Sequence, residues 1–72
     1  MDNKQVDNII GSKIKKLRLK DGLTQEGLAR KADIPYTTLT KVESGVIKNP
    51  SVKVIAKIAE ALGAAIEDLV VK

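Results

Sequence analysis

Apolar positions recur along this chain at helical spacing, and no stretch shows the apolar/polar alternation of a strand. Val6, Ile10, Ile14 and Leu17 share one face of a helix predicted over about residues 6–20. Asp21-Gly22 stops it, with Gly22 suited to a left-handed C-terminal cap and basic residues in the last turn facing the negative end of the helix dipole. Thr24 is an N-cap residue for a second helix over about 25–32 that buries Leu28, Ala29 and Ala32; Gly27 inside it costs about 1 kcal/mol relative to Ala. Asp33-Ile34 form a tight connection. Pro35 biases Ile34 away from helical geometry yet is itself tolerated in a first turn. A third helix therefore runs from Pro35 or Tyr36 to Ser44 and ends at Gly45. After a loop over 46–50, Ser51 caps a fourth helix whose Ile55, Ile58, Ala59 and Leu62 repeat at i, i+3, i+4 and i+7. Gly63 ends it, and a short fifth helix spans about 66–70. The expected fold is all-α: one compact five-helix domain over residues 1–72, with its core in about 10–70.

Seventy-two residues make one domain with a modest core, so dimerisation or well-packed helices must supply stability. The chain has no Cys and no His. Disulfides, thiolate chemistry, Cys/His metal sites and imidazole catalysis are excluded together. The remaining acids are scattered, Glu67 and Asp68 face apart on a helix, and no Gly-rich phosphate loop is present. An enzyme is the poorest reading, and no metal, cofactor or small-molecule ligand is expected. With no long apolar run and a polar start at Met1-Asp2-Asn3-Lys4-Gln5, the expectation is a soluble cytoplasmic protein.

The net charge of +4 is unevenly placed: residues 1–20 carry six Lys/Arg against two Asp, while 21–50 and 51–72 balance at four and three of each sign. A basic end suits an anionic partner such as nucleic acid; a solvated lysine face is the equally weighted alternative.

Thr24 to Pro50 is the informative stretch. Two short helices are joined by a connection of about three residues, with Ala29 at their close approach and Ile34, Leu39 and Val42 filling the angle between them. On the third helix Leu39 and Val42 point inward. Tyr36, Thr37, Thr40, Lys41 and Ser44 form the opposite stripe, which carries hydrogen-bonding groups and a cation but no carboxylate. Such a face suits a polyanion: Lys can donate to guanine, and Thr can bond either base type or offer its methyl to thymine.

The run Thr24-Gln25-x-x-Leu28-Ala29-x-x-x-x-Ile34, with Leu39-x-x-Val42-Glu43-Ser44-Gly45-x-x-x-x-Pro50, resembles the lambda repressor/Cro-like helix-turn-helix family. Ala56-x-Ile58-Ala59-x-Ala61-Leu62-Gly63 and Glu67-Asp68-Leu69 extend the resemblance over about residues 10–70. It implies a lambda repressor-like domain with the helix-turn-helix at helices 2 and 3, acting as a transcriptional regulator, in first place a repressor, on double-stranded DNA. It implies base reading by Tyr36, Thr37, Lys41 and Thr40, and phosphate contacts from Gln25, Thr38, Lys48 and Asn49. Arg18 and Glu43 match a structural ion pair.

The chain departs from that family at several positions. Asp33 stands where Gly is usual in a left-handed turn. Pro35 replaces a Ser/Thr cap. Gly27 removes a capping-box Glu, and Ala64-Ala65 leaves the last helix without its usual cap, a cost of about 1 kcal/mol. Tyr36 and Lys41 keep a second reading each, as a cover over Pro35 and as a solvated lysine. Ile66, Leu69, Val70 and Val71 are read as a dimer patch or as plain core. A weak homodimer on a two-fold-symmetric operator is the leading assembly, with half-sites roughly 34 Å apart. An antitoxin or adaptor-type protein-interaction module on the same fold is the rival function.

Overall fold

The computed structural model describes residues 9–70 and contains five helices and no strand among them. They are α1 (Ile9–Lys20), α2 (Gln25–Ala32), α3 (Tyr36–Ser44), α4 (Val52–Leu62) and α5 (Ile66–Val70). The expected first helix reached back to Val6, which lies outside the described residues. The other boundaries fall within a residue of those expected.

Each boundary has a local cause. The Gly27 N–H donates to the Thr24 hydroxyl at 3.0 Å, and the Val54 N–H donates to the Ser51 hydroxyl at 3.2 Å. Both hydroxyls take up a first-turn donor that the helix cannot satisfy itself. At the far ends, Gly22, Gly45 and Gly63 adopt φ of 72°, 90° and 68°. Asp33 does the same work at the end of α2, with φ 60° and ψ 47°. Its N–H donates to the Arg30 carbonyl, and the next N–H, from Ile34, reaches back to the Ala29 carbonyl at 3.0 Å. These paired bonds close a Schellman turn, and Ala29 and Ile34, at the positions such a turn brings together, both belong to the buried core. Asp tolerates this backbone region better than most side chains, so the turn forms without glycine.

Two expectations about caps resolve differently. Pro35 is the N-cap of α3 in an extended conformation and makes no side-chain cap bond. The start of α5 lacks a side-chain acceptor ahead of it, as expected from Ala64-Ala65, but gains a bond from the other direction: the Ala65 N–H donates to Asp68 Oδ2 at 3.1 Å. Asp68 supplies the returning half of a capping box from inside the helix.

The core gathers Ile14, Leu28, Ala29, Ala32, Ile34, Leu39, Val42, Ile55, Ile58, Ala59, Ala61 and Leu69, with Ile10, Leu17, Leu23, Ile47, Val54 and Leu62 packed at its edge. Every helix contributes. The apolar faces of α1 and α2 meet α3 and α4, and α5 packs on α1 and α4. Small residues at Ala29 and Ala32 let α2 approach its neighbours closely. Burial on this scale, about 25 cal/mol per Å² of apolar surface, is what fixes α3 against α2 and so fixes which face of α3 is left outside.

Candidate nucleic-acid interface

The inner face of α3 is set by Leu39 and Val42, 0% and 1% exposed. Helical phase then determines the rest. Tyr36, Thr37, Lys41 and Ser44 are exposed, and Thr38 and Thr40 are half-buried on either flank. Neither Thr37 nor Lys41 is tucked inside, so the stripe expected from the sequence lies on the surface of the subunit. The Thr40 hydroxyl donates to the Thr37 carbonyl at 2.9 Å, and the Ser44 hydroxyl to the Lys41 carbonyl at 3.3 Å. Both hydroxyl oxygens keep acceptor capacity toward solvent. Because Pro35 offers no cap, the first-turn N–H groups of α3 have no side-chain acceptor and add a positive end to this face.

The one acid on α3, Glu43, is turned away from that face. It is 6% exposed and meets Arg18, itself 7% exposed. Arg18 Nε donates to Glu43 Oε2 at 2.7 Å and Nη2 to Oε1 at 3.1 Å, a two-point pairing of α1 with the end of α3. Arg18 Nη1 donates to the Leu23 carbonyl at 2.8 Å, which ties the α1–α2 connection to the same group. The ion pair expected from the sequence is therefore present and internal, and the exposed side of α3 carries no negative charge.

Gln25 occupies the first position of α2, half-buried, and its Nε2 donates to Glu43 Oε1 at 2.9 Å. No sequence signal marks this bond, which joins residues 18 apart that only the fold brings together. It sets the N-terminus of α2 beside the C-terminal end of α3. Lys48 and Asn49 follow on the exposed loop leaving that end of α3. Gln25, Lys48 and Asn49 thus flank one end of the stripe, and Tyr36 and Thr37 begin the other.

The expected dimer patch is only partly at the surface. Leu69 is fully buried, because α5 is too short to stand alone and uses this side chain to anchor on α1 and α4; it belongs to the core. Ile66 and Val70 remain 40% and 46% exposed, one turn apart. Val71 lies outside the described residues. Val46 and Val52, 71% and 76% exposed at the two ends of the α3–α4 loop, were not singled out from the sequence. No cluster of three or more His, Cys, Asp or Glu placed to hold a metal occurs among the described residues. No described helix is long and apolar enough to cross a membrane.

Two short helices meeting through a tight turn, the second with an exposed acid-free face, define the helix-turn-helix class of domain. Comparison with known proteins agrees: a helix-turn-helix family profile matches residues 14–69. A transcriptional regulator of the helix-turn-helix type from Archaeoglobus fulgidus is 41% identical over 58 residues, covering 81% of each chain. Another such regulator, from Methanocaldococcus jannaschii, is 40% identical over 58 residues, covering 81% of this chain and 86% of its own. The chain belongs to the lambda repressor/Cro-like helix-turn-helix family of DNA-binding transcriptional regulators.

Proposed function

We propose that this protein is a sequence-specific repressor that lays α3 in the DNA major groove and binds a two-fold-symmetric operator as a weak homodimer. The observation that carries this reading is the exposed stripe of α3, kept free of acid because Glu43 is folded inward onto Arg18. Tyr36, Thr37 and Lys41, with Thr40 at the flank, read base edges. Gln25, Thr38, Lys48 and Asn49 hold phosphates on either side and fix the register. Lysines 15, 16 and 20 on the exposed side of α1 add long-range attraction. Ile66 and Val70 form the contact between subunits. No catalysis, cofactor or small-molecule ligand enters this mechanism, and the protein acts in the cytoplasm on chromosomal DNA.

Amide chemical-shift mapping with a short random-sequence duplex, repeated over a salt series, tests the reading. The shifts are expected to concentrate at residues 36–41, Gln25 and the 48–49 loop, with log affinity falling linearly against log salt. Shifts confined to α5, or no binding at low salt alongside tight capture of a protein partner, would favour the adaptor-type function instead.

A further inference from the structure

The bond between Gln25 and Glu43 gives the internal ion pair a second task. Glu43 Oε1 receives both Arg18 Nη2 at 3.1 Å and Gln25 Nε2 at 2.9 Å. A Gln amide has two N–H donors, and this contact uses one of them. The other, with the backbone N–H of Gln25 at the start of α2, is left on the half-buried N-terminal side of the helix. We infer that Glu43 and Arg18 are positioning residues for DNA binding: they hold the Gln25 amide in a fixed plane with its second N–H presented to a backbone phosphate. This rests on the reading of Gln25 as a phosphate ligand and goes beyond it.

The charge arrangement makes the device workable. A bare carboxylate beside a phosphate would repel it. Here both carboxylate oxygens of Glu43 are taken by the Arg18 guanidinium at 2.7 and 3.1 Å, so the negative charge is offset inside the fold. A Gln side chain ordered before binding also loses less rotamer freedom when the phosphate arrives. Because Glu43 sits on α3, the same bond links the phosphate-holding end of α2 to the reading helix. The register fixed by one is transmitted to the other without a flexible step.

A double-mutant cycle tests the inference. Arg18→Met/Glu43→Leu replaces the buried pair by apolar side chains of similar size, a change that folded proteins often tolerate. Affinity for a random duplex is measured for the native protein, Gln25→Ala, the Arg18→Met/Glu43→Leu variant and the triple variant. Gln25→Ala is expected to weaken binding roughly ten- to hundredfold on all sequences, the scale of a hydrogen bond to a charged group. The apolar pair is expected to show a similar loss, and adding Gln25→Ala to it is expected to cost less than about threefold, since the contact is already gone. Should the apolar pair keep native affinity, or Gln25→Ala cost as much in that background as in the native one, the positioning role is overturned while the phosphate contact stands. No effect of Gln25→Ala in the native background overturns both. The native chain supplies an independent readout that does not require the variant to fold. One Gln25 side-chain amide proton should be protected from exchange and unmoved by DNA, while its geminal partner shifts on adding duplex. Two protons averaged by rotation, or neither responding to DNA, would overturn the inference.

Discussion

Truncating Leu39 to alanine removes the side chain that seats α3 against the core. Leu39 is fully buried on the inner face of α3, within the cluster that includes Leu28, Ala29, Ile34 and Val42. Leu→Ala changes at such sites cost about 2–5 kcal/mol, the value depending on how far the surroundings collapse into the space. Collapse is restricted here. The C-terminal end of α3 is held by Arg18 on Glu43 at 2.7 Å and by the Ile47 N–H on the Lys41 carbonyl at 2.9 Å. Its N-terminus is held by the Asp33-Ile34 turn. The loss should therefore fall in the upper half of the range, about 3–5 kcal/mol. At roughly 0.05–0.15 kcal/mol per residue, the whole domain has only about 4–11 kcal/mol to lose. Urea denaturation followed by circular dichroism measures this directly, through the midpoint at unchanged m value. The thermal midpoint should fall by roughly 12–40 °C, at about 4–8 °C per kcal/mol for a domain of this size. A loss below about 1 kcal/mol would mean that α3 is not anchored through Leu39, and the orientation of the outer stripe would lose its physical basis.

Asp33→Val places a β-branched side chain at φ 60° and should cost about 1–2 kcal/mol in urea unfolding; an unchanged midpoint would mean that the turn relaxes out of the left-handed region. Asp68→Ala removes the acceptor of the Ala65 N–H, and about 0.5–1 kcal/mol of stability should go with it, accompanied by faster amide exchange in α5; unaltered exchange there would show that the cap is idle. Val70→Glu should leave the monomer's urea midpoint within about 0.5 kcal/mol, since the site is 46% exposed, while reducing dimer formation in sedimentation equilibrium; a dimer of undiminished strength would place the subunit contact elsewhere.

Most of this fold was legible in the sequence because its punctuation is local. Gly22, Gly45 and Gly63 end helices through their own backbone freedom, and Thr24 and Ser51 begin them through their own hydroxyls. The left-handed conformation of Asp33 and the Arg18–Glu43 pair were legible only through the family resemblance. What was not legible depends on approach between distant segments. The Gln25–Glu43 bond requires α2 to start where α3 ends, a distance fixed only by packing. For Ile66, Leu69 and Val70 the sequence leaves core and dimer patch both open, because a five-residue helix shows no full period; burial decides for core at Leu69 and for surface at the other two. The Asp68 cap was missed because the expected cap residue precedes the helix, whereas the acceptor here comes from within it. Periodicity also gave the stripe on α3 but not why it is free of acid. Periodicity alone does not turn Glu43 inward; its pairing with Arg18 does.

The central claim is that the outer face of α3 chooses the DNA sequence. Selection of bound molecules from a random double-stranded pool, carried out in parallel with the native chain and with Lys41→Ala, tests it most directly. The native chain should enrich a consensus with two-fold symmetry. Lys41→Ala should lose about 1–3 kcal/mol of preference at one base pair in each half-site, with the remaining positions kept. No enriched consensus, or one that is the same for both proteins and for Thr37→Ala, would contradict the claim.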